Sequence, residues 1–506
     1  MSDKEPKNPS DDGLPDNGVV GVVEPTDELV TPVLDGQIRS GKLAGKTLTQ
    51  AIIILAAPVF FEHLLGAMVG LVDIMLTGGL GEISTPALDA VSIGSYVGWF
   101  IGIAVSSLGI GSQALIARSL GRGDTHQANH GLGQAAGFSI GWGILIAVTL
   151  YAAAPVLATI GGLSEEARHY CVQYVRTHAL GVPFASFMFI GIMSLHGAGE
   201  MVKPFYVMVV VNLVNISASW YFSGATISLG HWTFQSPGGW GVVGIATGTV
   251  LAHASGALLI LLLMIRGVKD LRLHWWSLPI YPELLWRIIR IGVPSFAEGM
   301  GMWIGNLLVI GVVGLIARAQ AIEGITREGL MGAHIITVQW EAFSFLPGFA
   351  MGIAAATLAG QYLGAGNPRM ATQGIFLCTA IAMAFMSVAG IALCLWGEPL
   401  TRLISNDPLH LELVPKLLFI CGLIQANFAL AMVLRTGMRG AGDTRWAMII
   451  TWSSTYLIRL PAAYILGYQL EYGLIGVWIA LNAEIVFRSL LFLARFLHGG
   501  WRHIRV

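Results

Sequence analysis

The chain has 506 residues, 28 Lys plus Arg against 29 Asp plus Glu, 55% hydrophobic and only 11% charged residues, and a mean hydropathy of +0.70. A soluble globular chain carries about 25% charged residues, so this composition excludes a soluble fold, and the near-neutral balance gives no footing for nucleic-acid binding. Apolar runs near the roughly 20 residues that cross a bilayer recur along the whole length, which defines an all-α polytopic membrane protein.

Residues 1–46 are polar and rich in Asp, Pro, Gly and Lys, and they read as a disordered cytoplasmic tail. Twelve apolar spans follow. Six, near 48–77, 87–114, 129–158, 167–193, 203–223 and 241–265, form an N-lobe over 47–265. Six more, near 288–316, 331–360, 370–397, 412–436, 446–467 and 474–497, form a C-lobe over 288–506. The polar stretch 266–287 is an inter-lobe linker, with Trp275 and Trp276 as interfacial aromatics. With both termini cytoplasmic, 20 of the 28 basic residues fall inside and five outside, a positive-inside pattern. Cys171, Cys378, Cys394 and Cys421 have neither CxxC nor His spacing and read as packing residues.

The first and seventh spans carry the same device, Pro58-Val-Phe-Phe-Glu62 and Pro294-Ser-Phe-Ala-Glu298, 236 residues apart. A carboxylate at mid-membrane costs roughly 2.5–3.5 kcal/mol, so its repetition points to chemistry near the midplane of a duplicated transporter. The duplication extends further. Leu120-Gly-Arg-Gly123 corresponds to Leu363-Gly-Ala-Gly366, and Gly197-Ala-Gly-Glu200 to Gly440-Ala-Gly-Asp443, both at an offset of 243 residues. Gly241-Val-Val-Gly244 and Gly473-Leu-Ile-Gly476 open the sixth and twelfth spans. Each half has an even number of spans, so the copies share one orientation and relate by a pseudo-two-fold along the membrane normal.

Among the charged residues, Glu62 and Asp73 are eleven positions apart, about 20° around the helix and roughly 16 Å along it. They share a face and can hold a proton or Na⁺. Glu341 lies beside Trp340 and Phe343, where charge and aromatic rings suit a lipophilic cation. Glu484 and Arg488 have the spacing of an intrahelical ion pair, and Arg459 is placed to satisfy a neighbouring acid. His63, His178 and His253 read as packed helix histidines. Met68, Met300, Met302 and Met351 suit a repackable pocket. The mid-span charges taken together are mostly acidic.

These segments resemble the multidrug and toxic compound extrusion (MATE) transporters of bacterial type. The likeness runs over residues 47–500. It is carried by the first span from Pro58 to Asp73, by Ala333-His-Ile-Ile-Thr-Val-Gln-Trp-Glu341 continuing to Phe349, and by two loop motifs, Gly360-Gln-Tyr-Leu-Gly-Ala-Gly366 and Met438-Arg-Gly-Ala-Gly-Asp-Thr444. The resemblance implies a secondary antiporter that exports organic cations or amphipathic drugs against H⁺ or Na⁺, with no cofactor beyond that ion. Asp73 falls on the family's cation-coupling aspartate, with Asn215 as a companion in some members; Glu62, on the same helix face, is the further coupling candidate. Glu298, Glu341, Trp340 and Gln425 are the substrate-binding candidates. The chain departs from one branch in having Ser219 where an acid would follow Asn215. It also has Met302 where that branch has its seventh-span glutamate, the glutamate here being Glu298, and Gln425 where the branch has an aspartate in the tenth span. The expected partners are a small organic cation or amphiphile and the lipid bilayer, for a monomer in the plasma (inner) membrane.

Three other readings compete with export of drugs. A lipid-linked sugar flippase of the same wider superfamily would need a basic central cavity. A membrane enzyme would place clustered His, Asp or Ser at one interface, and no such cluster or metal-ligand set is evident. A channel would need a pore loop. No nucleotide-binding P-loop is present, which argues against an ATP-driven pump.

Overall fold

The computed structural model describes residues 46–160, 163–229, 232–320 and 329–504. The N-terminal tail expected over 1–46 lies outside the described residues, except for Lys46. In lipid every backbone amide and carbonyl needs an internal partner, so apolar segments of this length fold as helices. Thr47 starts the first by a reciprocal cap with Gln50.

The N-lobe comprises α1 (Leu48–Gly78), α2 (Ser84–Arg122), α3 (Thr125–Ile160), α4 (Glu165–Gly197), α5 (Val202–Ser223) and α6 (Gly241–Arg266). Between α5 and α6 stands a short antiparallel hairpin, β1 (Thr226–Leu229) with β2 (Trp232–Gln235), which the apolar pattern does not announce. The C-lobe begins at α7 (Pro282–Ala319), earlier than the 288 expected, because Pro282 is suited to the first helical position. Residues 267–281 therefore make the connection, and they are held against α3. Asn129 accepts from the Arg272 amide at 2.6 Å, and Gln134 donates to the Ser277 and Pro279 carbonyls at 3.1 and 2.6 Å.

Two C-lobe spans are bent. α8 (Leu330–Ser344) and α9 (Leu346–Gly364) meet at 44°, and Pro347 sits in the first turn of α9, where its missing amide costs least. After α10 (Pro368–Leu395) and the short α11 (Gly397–Arg402), α12 (Pro408–Leu423) and α13 (Gln425–Gly440) meet at 55°. The next span, residues 444–469, is one helical run in which π-helical turns at Thr455–Arg459 and Ile465–Gln469 follow α14 (Thr444–Ser454) and α15 (Leu460–Tyr464). α16 (Gly473–His498) completes two lobes of six spans.

Large apolar side chains such as Leu145, Val148, Phe376 and Val388 point outward, while glycines and alanines line the helix contacts, as close packing in lipid requires. The lobes join along α2, which packs on α7 and α9, and along α1, which packs on α9. Their tightest approach pairs the two copies of the Leu-Gly repeat. A Cβ on Gly364 would stand 3.0 Å from the Gly121 Cα and would collide with the Arg118 carbonyl; a Cβ on Gly121 would collide with the carbonyl of Gln361. Arg118 and Gln361 are themselves separated by the repeat offset of 243 residues, so the contact is reciprocal about the pseudo-two-fold.

Side chains close the same end. Gln113 donates to the Thr357 hydroxyl at 3.2 Å, Thr357 donates to the His196 carbonyl at 2.9 Å, and Gln361 donates to the Gly197 carbonyl at 2.9 Å. Arg118 adds a bond to the Ile504 carbonyl at 3.1 Å.

Candidate coupling and substrate sites

α1 presents both of its acids to α4, as the shared face of the two positions requires. The helices run antiparallel, so Asp73 meets Tyr174 at one end and Glu62 meets His196 at the other. Asp73 is buried in the N-lobe, where its carboxylate accepts from the Tyr174 hydroxyl at 3.0 Å and from the Thr249 hydroxyl at 3.1 Å. Asn215 reaches the same Thr249 at 3.0 Å and also donates to Ser219 at 3.3 Å. Thr249 thus joins Asp73 to Asn215. The Asn215 Oδ1 atom is buried with no hydrogen-bond partner among the described residues, an acceptor left open beside a carboxylate. Such a group has the donor set for a small cation: a carboxylate, an amide oxygen and hydroxyls. Ser219 donates to the Ile245 carbonyl and supplies no charge.

Tyr174 and Thr249 were not legible as site residues, since they come from α4 and α6 and carry no motif. His178 lies 5.9 Å from the Tyr174 ring and 6.2 Å from His253, so two of the three singled-out histidines border this cluster.

Glu62 belongs to a different group at the lobe boundary. His196 Nε2 is 3.1 Å from its carboxylate, and the neighbouring His63 stacks on Phe349 of α9 at 5.4 Å between ring centres. His196 was missed, although it stands immediately before the duplicated Gly-Ala-Gly motif, where Arg439 stands in the second copy.

In the C-lobe, Glu341 and Gln425 are brought together by the two helix breaks. Cys421 donates to Glu341 at 3.3 Å, Gln425 Nε2 lies 3.2 Å from the Cys421 sulfur, and Ser344 donates to Gln425 at 3.0 Å. Ser344 ends α8 and Gln425 opens α13, so this chain of bonds ties both bends. Trp340 packs 6.0 Å from Phe343, and its indole N–H has no partner among the described residues. Cys421 is therefore more than packing, since it contacts the acid directly.

Glu298 is held elsewhere, on the inner face of α7. Thr451 donates to it at 2.9 Å, and Arg435 and Arg439 of α13 approach it at 3.5 and 3.8 Å. Two helical turns on, Asn306 accepts from Arg459 at 2.9 Å. Glu484 is clasped by Arg459 at 2.8 Å and by Arg488 at 2.7 Å. Met302, between Glu298 and Asn306, lies against Arg435 and Arg488 at 3.6 and 3.8 Å. The expectation of a mostly acidic interior is corrected here. Arg435 and Arg439, two of the 20 basic residues assigned to the cytoplasmic side, turn inward, so with Arg459 and Arg488 the C-lobe interior holds four arginines.

Two lobes of six helices, duplicated about an axis between them and carrying buried ionisable clusters in each, define a multi-pass membrane transporter. The chain belongs to the MatE family, whose model matches it over residues 58–221 and again over 324–465, once in each lobe. It is similar to the probable multidrug resistance protein NorM of Thermotoga maritima, 28% identical over 447 residues, 88% of this chain and 92% of that one. It is similar also to the multidrug resistance protein PmpM of Pseudomonas aeruginosa, 25% identical over 460 residues, 89% and 91% of the two chains. Among solved structures, MATE in the bent conformation superposes with a TM-score of 0.79 at 21% identity, covering 90% of this chain and 95% of that one. A MOP superfamily transporter from Pyrococcus furiosus gives a TM-score of 0.79 at 22% identity with the same coverage. These two establish the fold.

Proposed function

We propose that the protein is a secondary antiporter which exports organic cations or amphipathic compounds in exchange for H⁺ or Na⁺. The observation that carries this reading is the buried group of Asp73, Asn215, Thr249 and Tyr174, with its open amide oxygen. An inward-moving cation occupies it, and release on the far side resets the carrier. The relatives' names as multidrug resistance proteins support the substrate class. Glu62, with His196, is the second coupling candidate. Glu341, Trp340 and Gln425 offer a charge and aromatic faces to a lipophilic cation, and Glu298 is the fourth substrate-side residue.

The lobes are sealed at the end that the positive-inside pattern assigns to the cytoplasm, which matches an outward-open state of alternating access. In this reading the protein works as a monomer in the plasma (inner) membrane with both termini cytoplasmic. Each charge entering down the field contributes roughly 2.3 kcal/mol per 100 mV, enough for about a fifty-fold gradient.

A second reading, a flippase for lipid-linked sugars, is favoured by the arginines around Glu298 and Glu484. Ethidium uptake into inverted vesicles, the equivalent of efflux from cells, tests the first reading, under an imposed proton gradient and then a Na⁺ gradient. Gradient-dependent transport that disappears in Asp73→Asn supports coupling at Asp73 and names the ion. No ethidium movement under either gradient rejects cation export.

A further inference from the structure

The C-lobe interior has more positive charge than its own carboxylates neutralise. Arg435 and Arg439 share Glu298, and Arg459 and Arg488 share Glu484, four guanidiniums against two acids. Glu341 lies within electrostatic reach of Arg459 and can offset one charge at most, while Asp443 is engaged by Arg495 at 2.9 Å. At least one positive charge therefore remains uncompensated among the described residues. An unpaired buried charge in a membrane-embedded lobe is strongly unfavourable, so a counter-anion is called for.

The two acids differ in how well they hold their arginines. Glu484 is bonded at 2.7 and 2.8 Å, the range of charge-assisted hydrogen bonds. Glu298 sits at 3.5 and 3.8 Å from its two, too far for such bonds. The Nε atoms of Arg435 and Arg439 and the Oε2 of Glu298 are buried without hydrogen-bond partners among the described residues. At the corresponding place in the N-lobe, Glu62 faces His196 at 3.1 Å and no arginine among the described residues. Arg435 and Arg439 are also the most open of the four, with side chains 16% and 13% exposed against 8% and 7% for Arg459 and Arg488. They lie at the lobe boundary, because α13 reaches α2 and the residue after Glu298, Gly299, packs on Ile103 of α2.

We propose that Arg435 and Arg439, one turn apart on α13, form an anion subsite at the lobe boundary that takes the carboxylate, sulfonate or phosphate of an amphiphile. Two guanidiniums one turn apart can engage such a group from both sides, and Glu298 holds them in place while it is empty. This deepens the transport reading by adding an anionic group to the substrates admitted, and its test does not depend on transport.

The test is equilibrium binding of two dyes of the same ring shape to the purified full-length chain in phosphatidylcholine nanodiscs, read by fluorescence polarisation. Carboxyfluorescein supplies the anion and rhodamine 123 the cation. The wild type is expected to bind carboxyfluorescein, R435Q/R439Q to bind it about tenfold or more weakly, and R435K/R439K to keep most of the affinity. E298Q, which removes the competing carboxylate, is expected to tighten it and gives a readout if the double glutamine variant does not fold. Wild type without carboxyfluorescein binding, or an affinity that E298Q lowers, overturns the subsite. Adding phosphatidylglycerol separates two sources of the same chemistry. Displacement of the dye assigns the subsite to a lipid phosphate, and an unchanged affinity assigns it to a soluble amphiphile. If ethidium efflux fails while carboxyfluorescein binds, the export reading falls and the subsite stands.

Discussion

His196 stands to Glu62 as Arg439 stands to Glu298. Each base closes a helix immediately before a Gly-Ala-Gly-acid sequence, and each faces the acid of a Pro-x-x-x-Glu device, at 3.1 Å in the N-lobe and 3.8 Å in the C-lobe. The duplication has kept the pairing and changed the base. An arginine is charged at every accessible pH, whereas a histidine can gain or lose its proton near neutrality. The N-lobe copy carries an imidazole where the C-lobe copy carries a guanidinium.

That difference yields a substitution. His196→Arg places the C-lobe's base in the N-lobe, leaving a permanent cation beside Glu62 and the backbone bond from Thr357 intact. Proton-driven ethidium efflux is expected to fall about tenfold, the equivalent of one 1.4 kcal/mol interaction, with unchanged expression and melting temperature. Efflux equal to wild type would remove Glu62 and His196 from the coupling scheme.

Tyr174→Phe tests the coupling group without removing its carboxylate. The hydroxyl donates to Asp73 at 3.0 Å, and a hydrogen bond to a charged group is worth about 1.5–3 kcal/mol. With that donor gone the carboxylate is less stabilised when empty, so it should hold its coupling cation more tightly. The ion concentration at half-maximal efflux is expected to drop by about tenfold while maximal turnover slows with release. An increase in that concentration would show that Tyr174 instead stabilises the occupied form.

Glu484→Gln addresses stability. The carboxylate is buried completely and neutralises Arg459 and Arg488 together. Removing it leaves Arg488 without its anion and Arg459 with only the more distant Glu341, which is expected to cost about 3–5 kcal/mol. The check is the melting temperature of the purified protein in detergent. Lys416→Ala, which breaks an exposed pair with Glu412, serves as the contrast and is expected to leave the melting temperature nearly unchanged.

The lobe contact gives a conformational prediction. Gly121→Val introduces side-chain atoms where the Gln361 backbone already sits. Overpacking of this kind costs about 1–3 kcal/mol and should open the sealed end. A cysteine at Gln113, whose amide bonds Thr357 across the seal, is expected to react faster with a membrane-impermeant thiol reagent added from that side when Gly121 is Val. Native cysteines set the background and are read from the parent carrying only Gly121→Val.

The sequence carried the membrane architecture because that architecture depends on one-dimensional quantities. Run length, hydropathy and a repeat at nearly constant offset are countable, so twelve spans in two lobes followed from them. Asp73 and Glu341 stood out for the same reason, as acids are costly where their neighbours are apolar. The β1–β2 hairpin, the docking of residues 267–281 on α3 and the π-helical turns before and after α15 were not legible. They turn on backbone geometry and on contacts between segments distant in the chain.

The partners of the charged residues separate the two kinds of information. The sequence by itself determined that this chain spans a membrane in two related halves and that carboxylates recur at matched places. Only the tertiary structure decided what each carboxylate faces: Tyr174 and Thr249 for Asp73, His196 for Glu62, Cys421 for Glu341, and a pair of inward-turned arginines for Glu298. The physical reason is that the cost of burying a charge is set locally by the surrounding medium, whereas its compensation comes from whichever helix packing places beside it.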